Sequence, residues 1–274
     1  MKWKYLIVLG FVFVFSGSLW AGNQLSTIES QIDALVLEIQ EQHTLNIVYK
    51  DIPRSIWTKA VYYPAERADY VELLKYLKLF KEEIAKYPKS FFEKSKLRKV
   101  FVVKKFFYKE HLAEGFYRPQ DQVIFLDFLR SRGNTLGQRH NIHHEFFHMI
   151  DFLMTGKPPA WEDSVWLSFN DKDFAYDQKG FFQERLPNKK DTNLREMIFF
   201  DQPKAGFMTD YSMTAVSEDK AEIFACLMVE SQNKILKRWI EAGDKVLQKK
   251  VDYLKDFVAW YCGETSGEYW DNLF

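Results

Sequence analysis

The segment NIHHEFFHMID, residues 141 to 151, constrains the fold of this chain more than any other stretch. It places His144, Glu145 and His148 in the pattern HExxH. On an α-helix, residues four apart lie on one face, so both imidazoles could reach one metal ion. Glu145 is offset from His144 by about 100°, which puts its carboxylate beside that ion as a candidate general base. The pattern requires a helix and predicts a third ligand elsewhere, because catalytic zinc usually has three protein ligands.

The segment SEDKAEIFA, residues 217 to 225, can supply that ligand. On a helix, Glu218 and Glu222 would lie four apart on one face. One carboxylate could bind the metal, while the other holds the second ring nitrogen of a bound histidine. The alternative is a solvated, acidic helix start, since Ser217, Glu218 and Asp219 also favour the positive end of the helix dipole. Spacing alone leaves the choice between the two glutamates open.

Other polar residues lie near these two segments. Tyr211 could donate a hydrogen bond to negative charge that develops beside a metal. In a chain with 14 tyrosines, however, any one of them is by default a packing residue. Asp151, three residues after His148, could orient an imidazole or could face solvent. His140 and His143 are expected to be neighbours of the site rather than ligands.

Together the two segments resemble a known family. HHEFFHMID followed by DYSMTAVSEDKAEIFA looks like the gluzincin zinc metallopeptidases. The resemblance is to the group around the catalytic domain of anthrax lethal factor and the bacterial metallopeptidases like it. In that group, HExxH precedes a tyrosine that lies seven residues before a glutamate, which itself lies four before another. Tyr211, Glu218 and Glu222 reproduce this spacing, and the resemblance covers about residues 110 to 230.

The resemblance implies one zinc ion (Zn2+) as cofactor and a role for each site residue. It implies Glu145 as general base, Tyr211 as the hydroxyl that stabilises an oxyanion, and Glu222 as support for a bound histidine. The implied zinc ligands are His144, His148 and Glu218.

Two features depart from the family pattern. Phe147 occupies a position that is often small in this group, which would narrow the space behind the metal. The long interval before Glu218 implies an insertion at 157–210, which could form a substrate wall or lid. Its many aromatic residues are expected to form a small core of their own.

The sequence predicts an α+β fold, namely a mostly helical, zincin-like catalytic domain with a small mixed β-sheet and HExxH on the active-site helix. Residues 22–274 contain no repeat or linker and are predicted to form one domain. Its parts are a helical N-terminal region at about 22–95, a catalytic core at about 96–231 and a C-terminal helix at about 244–262.

Local patterns predict the individual elements. Apolar periodicity and helix-ending residues predict helices at 26–42, around 73–84, and at 136–154, 216–231 and 244–261. Runs of β-branched and aromatic residues predict strands at 45–49, 99–103 and 123–128, with a turn over 114–122 before the last. The segment at 122–128 would be either the edge strand along which gluzincins align an extended peptide or an ordinary core strand.

The first 21 residues have the layout of a secretory signal peptide. Lys2 and Lys4 precede an apolar run over 5–15, and small residues lead to Ala21 as the cleavage position. The apolar run is short for a membrane span. The sequence thus predicts a secreted or periplasmic protein without stable membrane association after cleavage; an uncleaved signal anchor is the alternative.

Composition excludes one class of partner and leaves one pairing open. Basic and acidic residues number 38 each, with no long block of either sign, which argues against a nucleic-acid binder. Cys226 and Cys262 are the only cysteines. In an oxidising compartment they could form a disulfide or remain two buried thiols, and their spacing favours neither.

These observations predict an exported zinc-dependent metallopeptidase that hydrolyses peptide bonds of a protein or peptide substrate. Water activated by the metal would attack, with Glu145 as the general base. The alternative is a non-catalytic zinc-binding scaffold or interaction module on the same fold. The presence of Glu145 argues against that alternative, since a purely structural site needs no base.

Overall fold

The structure is a computed structural model and describes residues 26–53, 57–109, 111–130, 133–156, 163–177, 202–263 and 267–273. The predicted signal peptide, residues 1–21, lies outside the described residues. So does much of the predicted insertion, at 157–162 and 178–201. Within the described ranges, no helix is both long and apolar enough to cross a membrane.

Helices make up most of the described chain. Helix α1 spans 26–43. The others are α2 (Tyr70–Ile84), α3 (Lys89–Ser95), α4 (Thr135–Thr155), α5 (Ser164–Leu167), α6 (Val216–Met228), α7 (Glu230–Glu241), α8 (Lys245–Cys262) and α9 (Gly267–Asp271). The strands are β1 (Ile47–Val48), β2 (Ala60–Tyr63), β3 (Lys99–Tyr108), β4 (His111–Leu112), β5 (Gly115–Arg118) and β6 (Val123–Asp127).

The strands form one small mixed sheet around β3. Its main path has the order β1-β3-β6-β5, in which β1 and β6 run parallel to β3 and β5 runs antiparallel to β6. The short strands β2 and β4 pair with the second half of β3 in antiparallel fashion. A mostly helical chain with a small mixed sheet confirms the predicted α+β class.

Both faces of the central strands are covered, which explains their nearly continuous apolar sequences. One face packs on the helices, and its residues are Val100, Val102, Ile124 and Leu126. The opposite face packs on Trp57, Tyr62 and their neighbours, and its residues are Phe101, Val103, Val123 and Phe125. The helical side of the sheet therefore continues into the main core of the molecule.

Helix α4 lies at the centre of the fold. It packs against α6 and α2, and its other side lies along β5. Helix α8 packs behind α6 and also contacts α7 and α3. The edge of the sheet, α4 and α6 thus form consecutive layers, and a site between them draws residues from all three. Cys226 and Cys262 are both buried free thiols in this core.

Of the two interpretations of residues 122–128, the core strand is the one observed, because β6 lies between β3 and β5, and β5 is the edge strand on that side. Several other elements differ from the sequence predictions. The residues of β5 were predicted to be part of a turn. The helix predicted to reach Ser231 ends at Met228, and α7, which was not predicted, begins after the extended residue Val229 (φ −108°, ψ 115°). The short helix α3 was not predicted either.

Candidate metal centre

Helix α4 holds the HExxH residues within the core. It begins with a cap in which the backbone N–H of Gly137 donates to the Asn134 side chain at 2.9 Å. It ends at Gly156, whose left-handed φ of 63° gives a common helix terminus. Nearly every residue from 140 to 147 is buried, polar ones included. Polar groups buried in this way need partners, and the partners define the site.

Three ligand atoms converge on one point between α4 and α6. The Nε2 atoms of His144 and His148 lie 3.0 Å apart. Oε2 of Glu218 lies 3.1 Å from the first and 3.4 Å from the second. Tetrahedral zinc with ligands at about 2.0–2.1 Å separates them by about 3.3 Å. Among the described residues, this buried oxygen accepts no hydrogen bond, so the three residues fit a zinc ion.

The charges of the site favour a cation. Burial lowers the pKa of His144, but the carboxylates of Glu218 and Glu222 outweigh burial and raise it to about 10. Conversely, burial raises the pKa of Glu218, while the imidazoles of His148 and His144 outweigh it and hold the pKa below its usual range. Carboxylates that attract a proton to an imidazole would equally attract a divalent ion to the same point.

Glu145 lies beside this point and against strand β5. Its side chain is 5% exposed, and burial raises the pKa of its carboxyl, with His144 and His148 opposing that effect. Its Oε2 has no hydrogen-bond partner in the described part of the chain. A Cβ atom at Gly115 of β5 would lie 2.6 Å from Glu145 Cγ, so only glycine lets the strand approach this closely.

Tyr211 lies on the solvent side of the site. It starts a short 3-10 turn, Tyr211–Met213, just before α6. Its ring centroid is 6.0 Å from that of His144, and the residue as a whole is 37% exposed. Burial of its hydroxyl, together with the carboxylates of Glu218 and Glu222, raises its pKa well above the usual value. The phenol is therefore a protonated donor beside the three ligand atoms.

The two predicted supporting carboxylates lie in different surroundings. Oε1 of Glu222 is 3.0 Å from Nδ1 of His144, the ring nitrogen that faces away from the convergence point. Its Oε2 accepts a hydrogen bond from the Thr209 hydroxyl at 2.8 Å. Asp151 lies outside this group, and its carboxylate is 3.4 Å from Nζ of Lys220 on α6.

His140 and His143 both lie in the core, on different sides of α4. His140 Nε2 contacts Oε1 of Glu222 at 2.9 Å, and its Nδ1 contacts Oε1 of Gln232 at 2.8 Å. His143 faces the other way, where Nε2 contacts Glu83 at 2.7 Å. Neither Thr209 nor Gln232 was predicted to belong to the site. No local pattern marks either residue. His140 lies one turn before His144, on the face of α4 that meets Glu222.

The described part of the insertion packs behind α6. The indole N–H of Trp166 donates to Asp219 at 2.9 Å, and the hydroxyl of Tyr176 donates to the same carboxylate at 2.6 Å. Lys220 forms a 2.8 Å ion pair with Asp163. Trp166 lies in the main core and Tyr176 packs against it. The described aromatic residues therefore do not form a separate core as predicted, and they attach the insertion to the helix that carries Glu218.

Comparisons with known proteins bear on the fold. No protein-family model and no curated protein sequence matches this chain. Among solved structures, the chain is similar to a "putative zinc-binding metallo-peptidase" from Bacteroides caccae, with a TM-score of 0.50 and 15% sequence identity. The match covers 90% of this chain and 96% of that chain. At this identity the likeness concerns the fold alone, and it supports the predicted α+β class.

Proposed function

We propose that this chain is an exported zinc-dependent metallopeptidase. One observation carries the proposal. A buried carboxylate oxygen of Glu218 lies 3.1 and 3.4 Å from the Nε2 atoms of His144 and His148. Among the described residues it accepts no hydrogen bond. The gluzincin resemblance of the sequence and the fold shared with a protein described as zinc-binding support the same conclusion.

His144, His148 and Glu218 would hold the zinc ion. When bound, zinc would supply Lewis acidity, which polarises a scissile carbonyl and lowers the pKa of water. Three protein ligands leave a position open for substrate, as catalytic zinc sites require. Tyr211 is 37% exposed as a whole residue, so the site would meet solvent on the side of this residue.

Glu145 would move the protons. Its carboxylate lies next to the convergence point but is not among the three ligand atoms there. Burial raises its pKa toward the operating range of a general base. It would accept a proton from the attacking water and later deliver it to the leaving amine.

Tyr211 and β5 would act on the substrate. The Tyr211 hydroxyl keeps its proton and could donate to the oxyanion that develops on the carbonyl oxygen, typically worth about 3–4 kcal/mol. Strand β5 lies beside Glu145, and no strand pairs with its outer side in the described ranges. An extended peptide could pair with that edge, which would give affinity with little sequence preference.

The test combines metal content with cleavage of a peptide library by the purified protein. We expect one zinc per wild-type chain and loss of that zinc in Glu218→Ala. In Glu145→Gln we expect zinc to remain and cleavage to fall by at least about a hundredfold, the usual contribution of a general base. The matched control is Glu241→Gln, at an exposed position of α7, which should retain both zinc and cleavage.

Two results would contradict the proposal in different ways. Zinc that stays bound in Glu218→Ala would overturn the ligand assignment. Zinc bound by the wild type without cleavage of any peptide would favour a non-catalytic zinc-binding module on the same fold.

A further inference from the structure

A series of buried polar contacts runs from the candidate metal centre into the helical core. His140 lies one turn before His144 on α4 and is 1% exposed. Its Nε2 lies 2.9 Å from Oε1 of Glu222, and its Nδ1 lies 2.8 Å from Oε1 of Gln232 on α7. The same Glu222 oxygen lies 3.0 Å from Nδ1 of His144. A residue of α7 is thereby connected to a proposed zinc ligand through two intermediate side chains.

Both oxygens of the Glu222 carboxylate are held. Oε1 contacts the rings of His140 and His144, while Oε2 accepts the hydroxyl proton of Thr209 at 2.8 Å. The carboxylate is almost fully buried, so water cannot replace a lost partner, and losing one is costly. Fixing both oxygens fixes the plane of the carboxylate, and hence the direction from which it meets the His144 ring.

We propose that His140 and Gln232 are positioning residues of the metal centre, an inference that rests on the zinc site proposed above. Gln232 fixes the ring of His140, and His140 fixes the carboxylate of Glu222. That carboxylate lies 3.0 Å from Nδ1 of His144 without hydrogen-bond geometry, so its charge orients the His144 ring, with Nε2 toward the metal. Loss of the partner on the outer nitrogen of a metal-binding histidine typically weakens metal binding 10–100-fold. His140 lies one contact further from the metal than that partner, Glu222.

A second metal site is the competing interpretation, because His140, His144 and Glu222 place three ligand atoms within 4.8 Å of one another. The contact geometry favours hydrogen bonds instead. Both ring nitrogens of His140 meet an oxygen with hydrogen-bond geometry, one from Glu222 and one from Gln232. Oε2 of Glu218 at the proposed zinc site accepts no hydrogen bond from the described residues, and Nδ1 of His144 donates none to Glu222, so the two contacts of His140 are what favours hydrogen bonding over a second metal.

The test measures the zinc dissociation constant of the full chain by competition with a chromophoric chelator. His140→Leu removes both ring contacts, Gln232→Leu removes the outer one, and His140→Gln keeps an amide donor for the carboxylate. His143→Leu is the matched control, since this histidine is equally buried on the same helix. Its ring contacts Glu83 at 2.7 Å and Tyr87 at 2.6 Å, away from the metal centre.

We expect His140→Leu to weaken zinc binding by about ten- to a hundredfold and Gln232→Leu by a smaller factor. His140→Gln should recover part of the loss, and His143→Leu should leave the dissociation constant unchanged. The ligand-field absorption of the Co2+-substituted protein should shift in His140→Leu and not in His143→Leu. Thr209→Val, which removes one contact to the same carboxylate, should also weaken binding, and Gln232→Leu tests the proposal where His140→Leu does not fold.

Three results would overturn the inference. One is wild-type zinc affinity in His140→Leu, or in Gln232→Leu where His140→Leu does not fold, and another is equal weakening in His143→Leu. The third is two zinc ions per wild-type chain that fall to one in His140→Leu, which would establish a second metal site instead. A wild type that binds zinc but cleaves no peptide would contradict the proposed peptidase while leaving this comparison of affinities valid.

Discussion

Three consecutive charged residues at the start of α6 are all buried, and each faces a different group. Glu218 faces His144 and His148 of α4, Asp219 faces Lys250, and Lys220 faces Asp163. Buried charges persist only where they are paired and hydrogen-bonded. The three pairings therefore fix the rotation of α6 about its own axis, and with it the direction of the Glu218 carboxylate.

Gly115→Ala is expected to disturb Glu145 specifically. The added Cβ would lie 2.6 Å from Cγ and 2.8 Å from Oε1 of Glu145, and 2.9 Å from Nδ2 of Asn141. We expect a loss of about 1–3 kcal/mol in the free energy of unfolding. Peptide cleavage should fall by at least about tenfold, since small misplacements of catalytic groups are costly, while zinc content stays constant.

The control for this substitution is Gly267→Ala. No atom lies within 4 Å of a Cβ built there, so neither stability nor cleavage should fall. Unfolding in urea and the cleavage rate provide the two measurements. Equal activity of Gly115→Ala and the wild type would mean that β5 does not constrain Glu145.

Asp163→Asn should reveal a pH-dependent contribution to stability. Burial raises the pKa of Asp163, but the ion pair with Lys220 and the hydroxyl of Tyr253 outweigh it and lower the pKa below its ordinary value. A lowered carboxyl pKa stabilises the fold above the unfolded value, about 3.9, and that stability is lost as pH falls through the folded value. The free energy of unfolding of the wild type should therefore exceed that of the variant most at neutral pH, and the difference should shrink below about pH 4.

Urea unfolding of both proteins between pH 7 and pH 3.5 measures this margin. Asp256→Asn, at an exposed position of α8, is the control. A margin that stays constant over the whole range would show that the Asp163 carboxylate is not held by its charge.

At the scale of elements, α6 is shared between two groups of partners. One face carries Glu218 and Glu222 toward α4, and the other carries Asp219 toward α8 and the described part of the insertion. Lys250 of α8 donates to Asp219 at 2.7 Å and to the carbonyl of Gly206 at 2.8 Å. This one lysine therefore connects α8, α6 and the segment that precedes α6.

Lys250→Met should be strongly destabilising. It leaves the Asp219 carboxylate buried without its cation, a change that typically costs about 3–5 kcal/mol. Adding Asp219→Asn should restore part of the loss. The control is Lys234→Met, because Lys234 and Glu230 form an exposed pair on α7 that is worth at most about 1 kcal/mol. Urea unfolding of the wild type, the two single lysine variants and the double variant measures these losses of stability. Equal losses in Lys250→Met and Lys234→Met would contradict this account.

The elements that the sequence predicted are those with a local signal. Helix α4 could be predicted because Gly156 ends an apolar, periodic run, and β6 because it is an uninterrupted apolar run. Strand β5 was missed because Gly115 at its start, and Pro119 and Asp121 just beyond its end, indicate a turn. Helix α7 was missed because the break before it is Val229, which is neither glycine nor proline.

Within the site, the same limit applies to individual residues. The spacing of four residues between His144 and His148 predicted that their rings would lie together. Partners contributed by distant elements, such as Thr209 and Gln232, have no spacing relation to that motif. They depend on how α6 and the segment before it pack against α4 and on how α7 packs against α6, which only the tertiary structure specifies.

For the molecule as a whole, zinc binding and stability should be linked. The three residues that supply the ligand atoms lie largely in the interior, and the Glu218 oxygen has no other hydrogen-bond partner among the described residues. Zinc that binds only the folded state adds about 4 kcal/mol at a free concentration of 1,000 times its dissociation constant. A chelator should therefore lower the melting temperature, and added zinc should restore it.

Calorimetry with and without chelator measures this linkage. Magnesium should not replace zinc, because it prefers oxygen ligands in octahedral geometry. In Glu218→Ala the stabilisation by zinc should be lost. An unchanged melting temperature in the chelated wild type would contradict the presence of a metal bound between α4 and α6.

The distribution of the ligands along the chain also has a consequence for folding. His144 and His148 come together as soon as one helical turn forms, whereas Glu218 lies 70 positions beyond His148 and reaches them only when α6 docks on α4. An unfolded chain would offer zinc two ligands and hold it weakly. A tightly held ion would therefore mark a chain that has closed this long loop, and metal retention would distinguish fully folded molecules from partly folded ones.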